Sequence, residues 1–165
     1  MVLNLKHHSA DLGALTERET SALLACARGL REAPAATTGR ALRGKNLCLL
    51  STPPDHPGAA TLQQAATALG ALVASVPSTL SEHSSSSDIQ DTSRLLGRLY
   101  DGVVCAGVPS ELVRRIAVDA GVPVFDDIAA PDHPLARLAT ELGPEAPGQD
   151  NRCLVIQALL LCTLV

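Results

Sequence analysis

Tryptophan is absent, and Tyr100 and Phe125 are the only tyrosine and phenylalanine. The core must therefore be aliphatic, and the chain lacks the flat surfaces on which bases stack. Basic clusters are missing too: 13 Lys and Arg are set against 17 Asp and Glu, a formal charge of −4, and none of them gather into a phosphate-tracking stripe. Nucleic acid is excluded as an expected partner. Long apolar runs are also missing, since the longest uncharged apolar stretch, 153–165, is too short to cross a bilayer and is interrupted by Gln157. No membrane partner is expected, and residues 1–8 lack the apolar segment of a signal peptide.

The five cysteines, Cys26, Cys48, Cys105, Cys153 and Cys162, are odd in number and far apart. They read as small buried hydrophobes in a reducing, cytoplasmic setting rather than a disulfide frame or a zinc site. His7, His8 and His83 have no Cys or carboxylate at ligand spacing, so no metal and no cofactor are assigned.

What is present is Ala, Leu and Val. With 165 residues, 46% of them hydrophobic, the chain suits one domain with a proper core. Thr16 and Glu19 form a T-x-x-E capping box ahead of a helix over 16–31, with Leu23, Leu24, Ala27 and Leu30 on one face. A Pro/Ala/Thr/Gly connector (33–43) leads to a short strand, 46–51, and then to a helix over 58–69 with Leu62, Ala65, Ala66 and Leu69 in a stripe, stopped by Gly70. The alternation repeats: strand 71–76, helix 88–100 with Leu95, Leu96 and Leu99 inward, strand 102–106, helix 109–120 with Leu112, Val113 and Ile116 inward, and strand 122–125. This order predicts an α/β fold, a four-stranded parallel sheet with helices on both faces.

Ligands of such sheets sit beyond the carboxyl ends of the strands. The candidate crevice is therefore lined by loops 52–58, 77–87, 106–108 and 126–133, the last ending at a helix start, Pro134. The first of these, Thr52-Pro-Pro-Asp-His-Pro-Gly58, stands where a helix N-terminus would welcome an anion, yet it has no Lys or Arg, carries Asp55, and loses a donor at Pro57. The run Ser84 to Ser87 reads as a solvated loop. A turn-rich linker, 143–148, precedes a final helix over 150–164 with Val155, Ile156, Leu159, Leu160 and Thr163 on one side, a helix too apolar to stand alone.

Several segments carry a family likeness: Leu42-Arg-Gly-Lys-Asn-Leu47, Ala65-Ala-Thr-Ala-Leu-Gly70, Asp88-Ile-Gln-Asp-Thr-Ser-Arg-Leu-Leu96, Tyr100-Asp-Gly-Val-Val104, Gly121-Val-Pro-Val124 and His133-Pro134. In this order they resemble the carbamoyl-phosphate-binding half of the ornithine/aspartate carbamoyltransferases, closer to the ornithine branch, over residues 1–142. Gln149-Asp-Asn-Arg-Cys-Leu-Val-Ile-Gln-Ala-Leu-Leu160 resembles the family's closing helix, which packs back onto the first domain. The resemblance implies a chain from which the intervening amino-acid-binding domain has been deleted: first domain 1–142, linker 143–148, last helix 149–165.

It also implies lost chemistry. Asp55-His56-Pro57-Gly58-Ala59 occupies the place of the family's phosphate-gripping Ser-Thr-Arg-Thr-Arg, so two guanidiniums have become a Pro or Gly and an Ala, and a carboxylate has entered. At an effective dielectric of about 20, a charge pair about 4 Å apart is worth about 4 kcal/mol, so this exchange should abolish tight binding. The family's Arg after the third strand corresponds to Ala106, and its His-Pro-x-Gln group survives only as His133-Pro134, with Ala136 in place of the Gln. The family loop that reaches a neighbouring subunit within a trimer corresponds to the segment holding Ser81-Glu-His83, which lacks the expected Lys and Gln types.

No catalytic residue is assigned. The candidate ligand-binding residues are Asp55, His56, Gly58, Ala59, Ala60, Thr61, Ala106, Asp126, Asp127 and His133. His133 reads either as a donor to a carbonyl oxygen or as a helix cap, and His56 either as a replacement cation or as the partner of Asp55. Three functions stay open: a non-catalytic assembly or regulatory module, expected to be a homo-trimer; a small-molecule module favouring a cationic guest; and a subunit of a composite site with a full-length carbamoyltransferase.

Overall fold

The computed structural model describes residues 15–165; residues 1–8 and the pair His7 and His8 lie outside this range. The element order is α1 (Glu17–Glu32), α2 (Ala35–Thr38), β1 (Asn46–Ser51), α3 (Pro57–Ala68), β2 (Leu72–Pro77), α4 (Ser86–Leu99), β3 (Gly102–Ala106), α5 (Ser110–Ala120), β4 (Val124–Asp126), α6 (Leu135–Glu141) and α7 (Asn151–Leu164). All three strand pairings are parallel, in the order β2-β1-β3-β4. The α/β expectation holds.

Alternation along the inner strands divides the core into two layers. Leu47, Leu49, Val104, Ala106 and Phe125 face α1, α3, α6 and α7, whereas Cys48, Leu50, Val103, Cys105 and Val124 face α4 and α5. Helices therefore cover both faces, although cover stops short of the edge strand β2, where Leu72 is 67% exposed.

Local chemistry sets the helix ends. Thr16 accepts from the Glu19 N–H while the Glu19 carboxylate accepts from the Thr16 N–H, so the capping box forms as expected. At α4 the serine run proves to be a helix start, because the Ser85 hydroxyl accepts from the Asp88 N–H and the helix begins at Ser86. The connector 33–43 likewise holds the short α2. The strand expected over 71–76 sits one residue later, and the one over 122–125 is confined to Val124–Asp126, since Pro123 offers only its carbonyl to Val103.

The inward face of α4 also differs from expectation. Its buried stripe is Ile89, Ser93 and Leu96, whereas Leu95 and Leu99 are 54% and 57% exposed. At 100° per residue Leu95 is turned away from the stripe of Leu96, and a small polar residue occupies the centre. Ser93 is tolerated there because its hydroxyl donates to the Ile89 carbonyl at 2.6 Å.

The final helix is buried along most of its length, at Asn151, from Leu154 through Leu160, and again at Thr163 and Leu164. It packs against α1, α3 and α6. Each fully buried leucine contributes about 2 kcal/mol of transfer free energy, so α7 is a principal part of the core rather than an appendage. Its polar residues are satisfied: the Gln157 amide donates to the Ala65 carbonyl and the Thr163 hydroxyl to the Leu159 carbonyl.

Candidate functional site

The carboxyl ends of β1, β3 and β4 are tied into one rim by backbone bonds. The Thr52 N–H donates to the Ala106 carbonyl at 2.9 Å, and the Asp127 N–H to the Cys105 carbonyl at 3.0 Å. The Thr52-Pro53 peptide is cis. Gly107 has φ +70°, and a Cβ there would overlap the Thr52 carbonyl and come within 2.6 Å of His56 Cδ2. The imidazole of His56 thus lies directly against the Gly107 backbone, and Ala129 closes the other side near Gly58.

His56 is the N-cap of α3. Its Nδ1 accepts from the Gly58 N–H at 3.1 Å, its carbonyl accepts from the Ala59 N–H at 2.9 Å, and its own N–H donates to the Pro53 carbonyl at 3.0 Å. Pro57 contributes no donor at all. The first-turn N–H groups that would face an anion are therefore engaged by His56 itself. No ion pair with Asp55 forms among the described residues, so the local-pair reading of His56 gives way to a cap. Ala59 is buried in the core layer beneath, Ala106 is fully buried at the end of β3, and Ala60 and Thr61 continue the helix.

On the β4 side, Asp127 adopts φ 44°, a left-handed conformation that aspartate tolerates better than most residues. The Oδ1 atoms of Asp126 and Asp127 are buried and have no hydrogen-bond partner. His133 caps α6 through Nδ1, which accepts from the Leu135 N–H at 3.2 Å. Burial lowers its pKa below the ordinary value, while Asp126, Asp127 and Asp132 pull it up and Arg152 pushes it down. Three carboxylates and one guanidinium thus share the field around this ring. Arg152, from α7, was not among the sequence candidates; its Nη2 donates to the Ala129 and Ala130 carbonyls at 2.6 and 2.8 Å and braces the loop after β4.

An open cleft of about 460 Å³ lies at the opposite end of the sheet, lined by Lys45, Arg98, Tyr100, Asp101, Pro123 and Leu164 among others. It contains none of the candidate residues. Among the described residues, no group of three or more His, Cys, Asp or Glu is placed to hold a metal, and no helix is long and apolar enough to cross a membrane.

An open parallel sheet with helices on both faces and a crossover between β1 and β3 defines the class, an open α/β domain. Residues 7–142 match the family described as aspartate/ornithine carbamoyltransferase, carbamoyl-P binding domain. The chain belongs to that family. Ornithine carbamoyltransferase from Haemophilus influenzae strain PittGG is 35% identical over 144 residues, 86% of this chain and 43% of the relative. The catabolic ornithine carbamoyltransferase of Pseudomonas putida is 32% identical over 142 residues, 40% of its own length. Among solved structures, ornithine carbamoyltransferase from Thermus thermophilus superposes with a TM-score of 0.64 at 27% identity, covering 81% of this chain and 46% of that one. The Pyrococcus furiosus enzyme reaches 0.69 at 23% identity, over 86% and 46%. The chain spans less than half the length of these relatives.

Proposed function

We propose that this chain is a non-catalytic carbamoyltransferase relative that serves as an assembly or regulatory module. The observation that carries the reading is the state of the α3 N-terminus: the Gly58 and Ala59 N–H groups are held by His56, and Pro57 has none to give. The positions at which the family resemblance implies phosphate-gripping arginines carry neutral side chains, and Asp55, Asp126 and Asp127 add negative charge. A dianionic phosphate meets repulsion there and few free donors. On this reading α7 is the family's closing helix, returned to the first domain across the 143–148 turn, and the domain keeps trimeric contacts in the cytoplasm while its chemistry is gone.

The test is calorimetric titration of the purified chain with carbamoyl phosphate, with inorganic phosphate as control. The expected result is no heat beyond the control. Specific binding at micromolar strength would overturn the reading and favour a composite site, which mixing with a full-length carbamoyltransferase and measuring activity would then examine. Light scattering tests the assembly half, with a trimer expected.

A second reading has its own support in the unpartnered Oδ1 atoms of Asp126 and Asp127. Buried acceptors of negative charge favour an amine or other cationic guest. A thermal-shift panel of small amines decides it: a saturable rise in Tm supports this reading, and a flat panel removes it.

A further inference from the structure

The geometry points to a self-docking edge on β2: we propose that two copies of this chain pair their β2 strands antiparallel about a two-fold axis at Ala74, joining two four-stranded sheets into one. This goes beyond the function proposed above and does not rest on it. The edge uses none of the candidate crevice residues, and a two-fold contact doubles a monomer to a dimer or a trimer to a hexamer alike.

The backbone defines the register. β2 is the outer strand beside β1. The Leu72 N–H donates to the Lys45 carbonyl at 2.9 Å and the Ser78 N–H to the Ser51 carbonyl at 3.3 Å, so the even-numbered residues turn their backbone groups to β1. Successive residues turn them to opposite sides. The N–H and C=O groups of Val73 and Ser75 therefore face outward, and nothing among the described residues pairs with them. Next in that row, Pro77 has no N–H to expose, and the Ala71 N–H is already given to the Ala66 carbonyl at 3.2 Å. Centred on Ala74, the pairing sets Val73 of each copy opposite Ser75 of the other, and four hydrogen bonds use every free group of both residues. Centred on Val73 or on Ser75, it would bring Ala71 or Pro77 into the row and strand one carbonyl of each copy.

Charge and apolar area favour a second copy as the occupant. Edge strands that stay single are commonly guarded by charge, above all by lysine. Here the 25 residues 57–81, which hold α3, β2 and the start of the next loop, contain no Asp, Glu, Lys, Arg or His. Such a surface meets its own copy without like-charge repulsion, and depletion of charge marks the centre of protein interfaces.

On one side of the edge the side chains are apolar. Ala74 is in register with Cys48 and Val76 with Leu50, so Leu72, Ala74 and Val76 share the α4 face of the sheet. On α4, Gln90 donates to Asp119 of α5, and a Cβ at Gly97 would overlap the Ala120 carbonyl. At about 100° per residue Leu95 and Leu99 lie on the opposite flank, and since α5 packs on β4 that flank is turned towards β2. Leu72, Leu95 and Leu99 are three of the five large hydrophobic side chains exposed among the described residues. In the pairing Leu72 stands opposite Val76 of the second copy, at a non-hydrogen-bonded position where side chains approach most closely.

The test measures the mass of the full chain by analytical ultracentrifugation over a concentration series in reducing buffer, beside S75P. Ser75→Pro removes an outward N–H that has no partner within the chain, so the fold is expected to stand and the mass to fall by half wherever the parent is paired. Amide exchange in the parent gives a local reading: protection at Val73 and Ser75 should rise with protein concentration, while Leu72 and Ala74 stay protected throughout. Ala74→Cys then reads the register, because the two copies of residue 74 would face each other with Cα atoms about 4.5 Å apart, within disulfide reach. Mild oxidation should give a symmetric 74 to 74 link on the peptide map, whereas S75C, two positions out of line, should link poorly. Equal masses for parent and S75P at every concentration would overturn the pairing, as would free exchange at Val73 and Ser75 throughout the series. A link formed as readily by S75C as by A74C would overturn the register. If S75P fails to fold, the exchange series and the A74C link decide the matter without it.

Discussion

Arg31 and Asn151 meet at 2.6 Å across 120 positions of sequence, the guanidinium donating to the amide oxygen. The Asn151 amide nitrogen in turn donates to the Ala139 and Gly143 carbonyls at 3.2 and 2.7 Å. One buried side chain thus joins the end of α1, the end of α6 and the start of α7.

Asn151→Ala leaves two carbonyls and a guanidinium without this partner. The expected cost is about 3 kcal/mol, read as a lower denaturation midpoint with an unchanged slope. A loss within experimental error would show that water replaces the side chain freely.

Glycine-to-alanine changes in two helices should have opposite signs. A Cβ at Gly97 in α4 would overlap the Ala120 carbonyl of α5, whereas one at Gly29 in α1 meets nothing within 4 Å. G97A is expected to destabilise by about 3 kcal/mol through the forced separation of α4 and α5, and G29A to stabilise by about 0.5 to 1 kcal/mol. Thermal melts of the two variants check both signs.

His133 makes stability depend on pH. Its folded pKa lies below the ordinary 6.5, chiefly through burial. The unfolded chain therefore binds more protons between the two values, so this contribution is complete above about 6.5 and is lost as pH falls through the folded pKa. His133→Asn keeps an acceptor for the Leu135 N–H and removes the titration. The parent Tm should drop more steeply than that of H133N as pH falls from 7 towards 5; parallel profiles would count against the assignment.

His56 caps α3 through Nδ1, which accepts from the Gly58 N–H. H56A should cost about 1 kcal/mol, and H56N, which keeps a short acceptor at the N-cap, should recover most of it. If H56A and H56N were equally destabilised, packing of the imidazole against Gly107 would matter more than the cap.

Much of the fold was legible because local patterns carry it. The bounds of β1 and β3 agree with their apolar runs, and Thr16 with Glu19 announced the start of α1. The inward face of α4 was not legible: three leucines outweighed Ser93 on hydrophobicity, yet the close approach of α5 at Gly97 turns that helix so that Leu95 and Leu99 point outward. The position of the crevice could be read from strand order, but the engagement of its donors could not, because it rests on one imidazole orientation. Arg152 and Asn151 escaped notice as working residues because their partners lie 8 to 120 positions away, where no sequence period reaches.

The layer completed by α7 has a consequence for synthesis. Helices α1, α3 and α6 and one face of the sheet all wait for residues 151–164 to cover them, although they leave the ribosome first. A nascent chain halted before the last helix carries a broad greasy surface that only chaperones or other chains could shield, so stalled translation should yield sticky fragments rather than a smaller folded core.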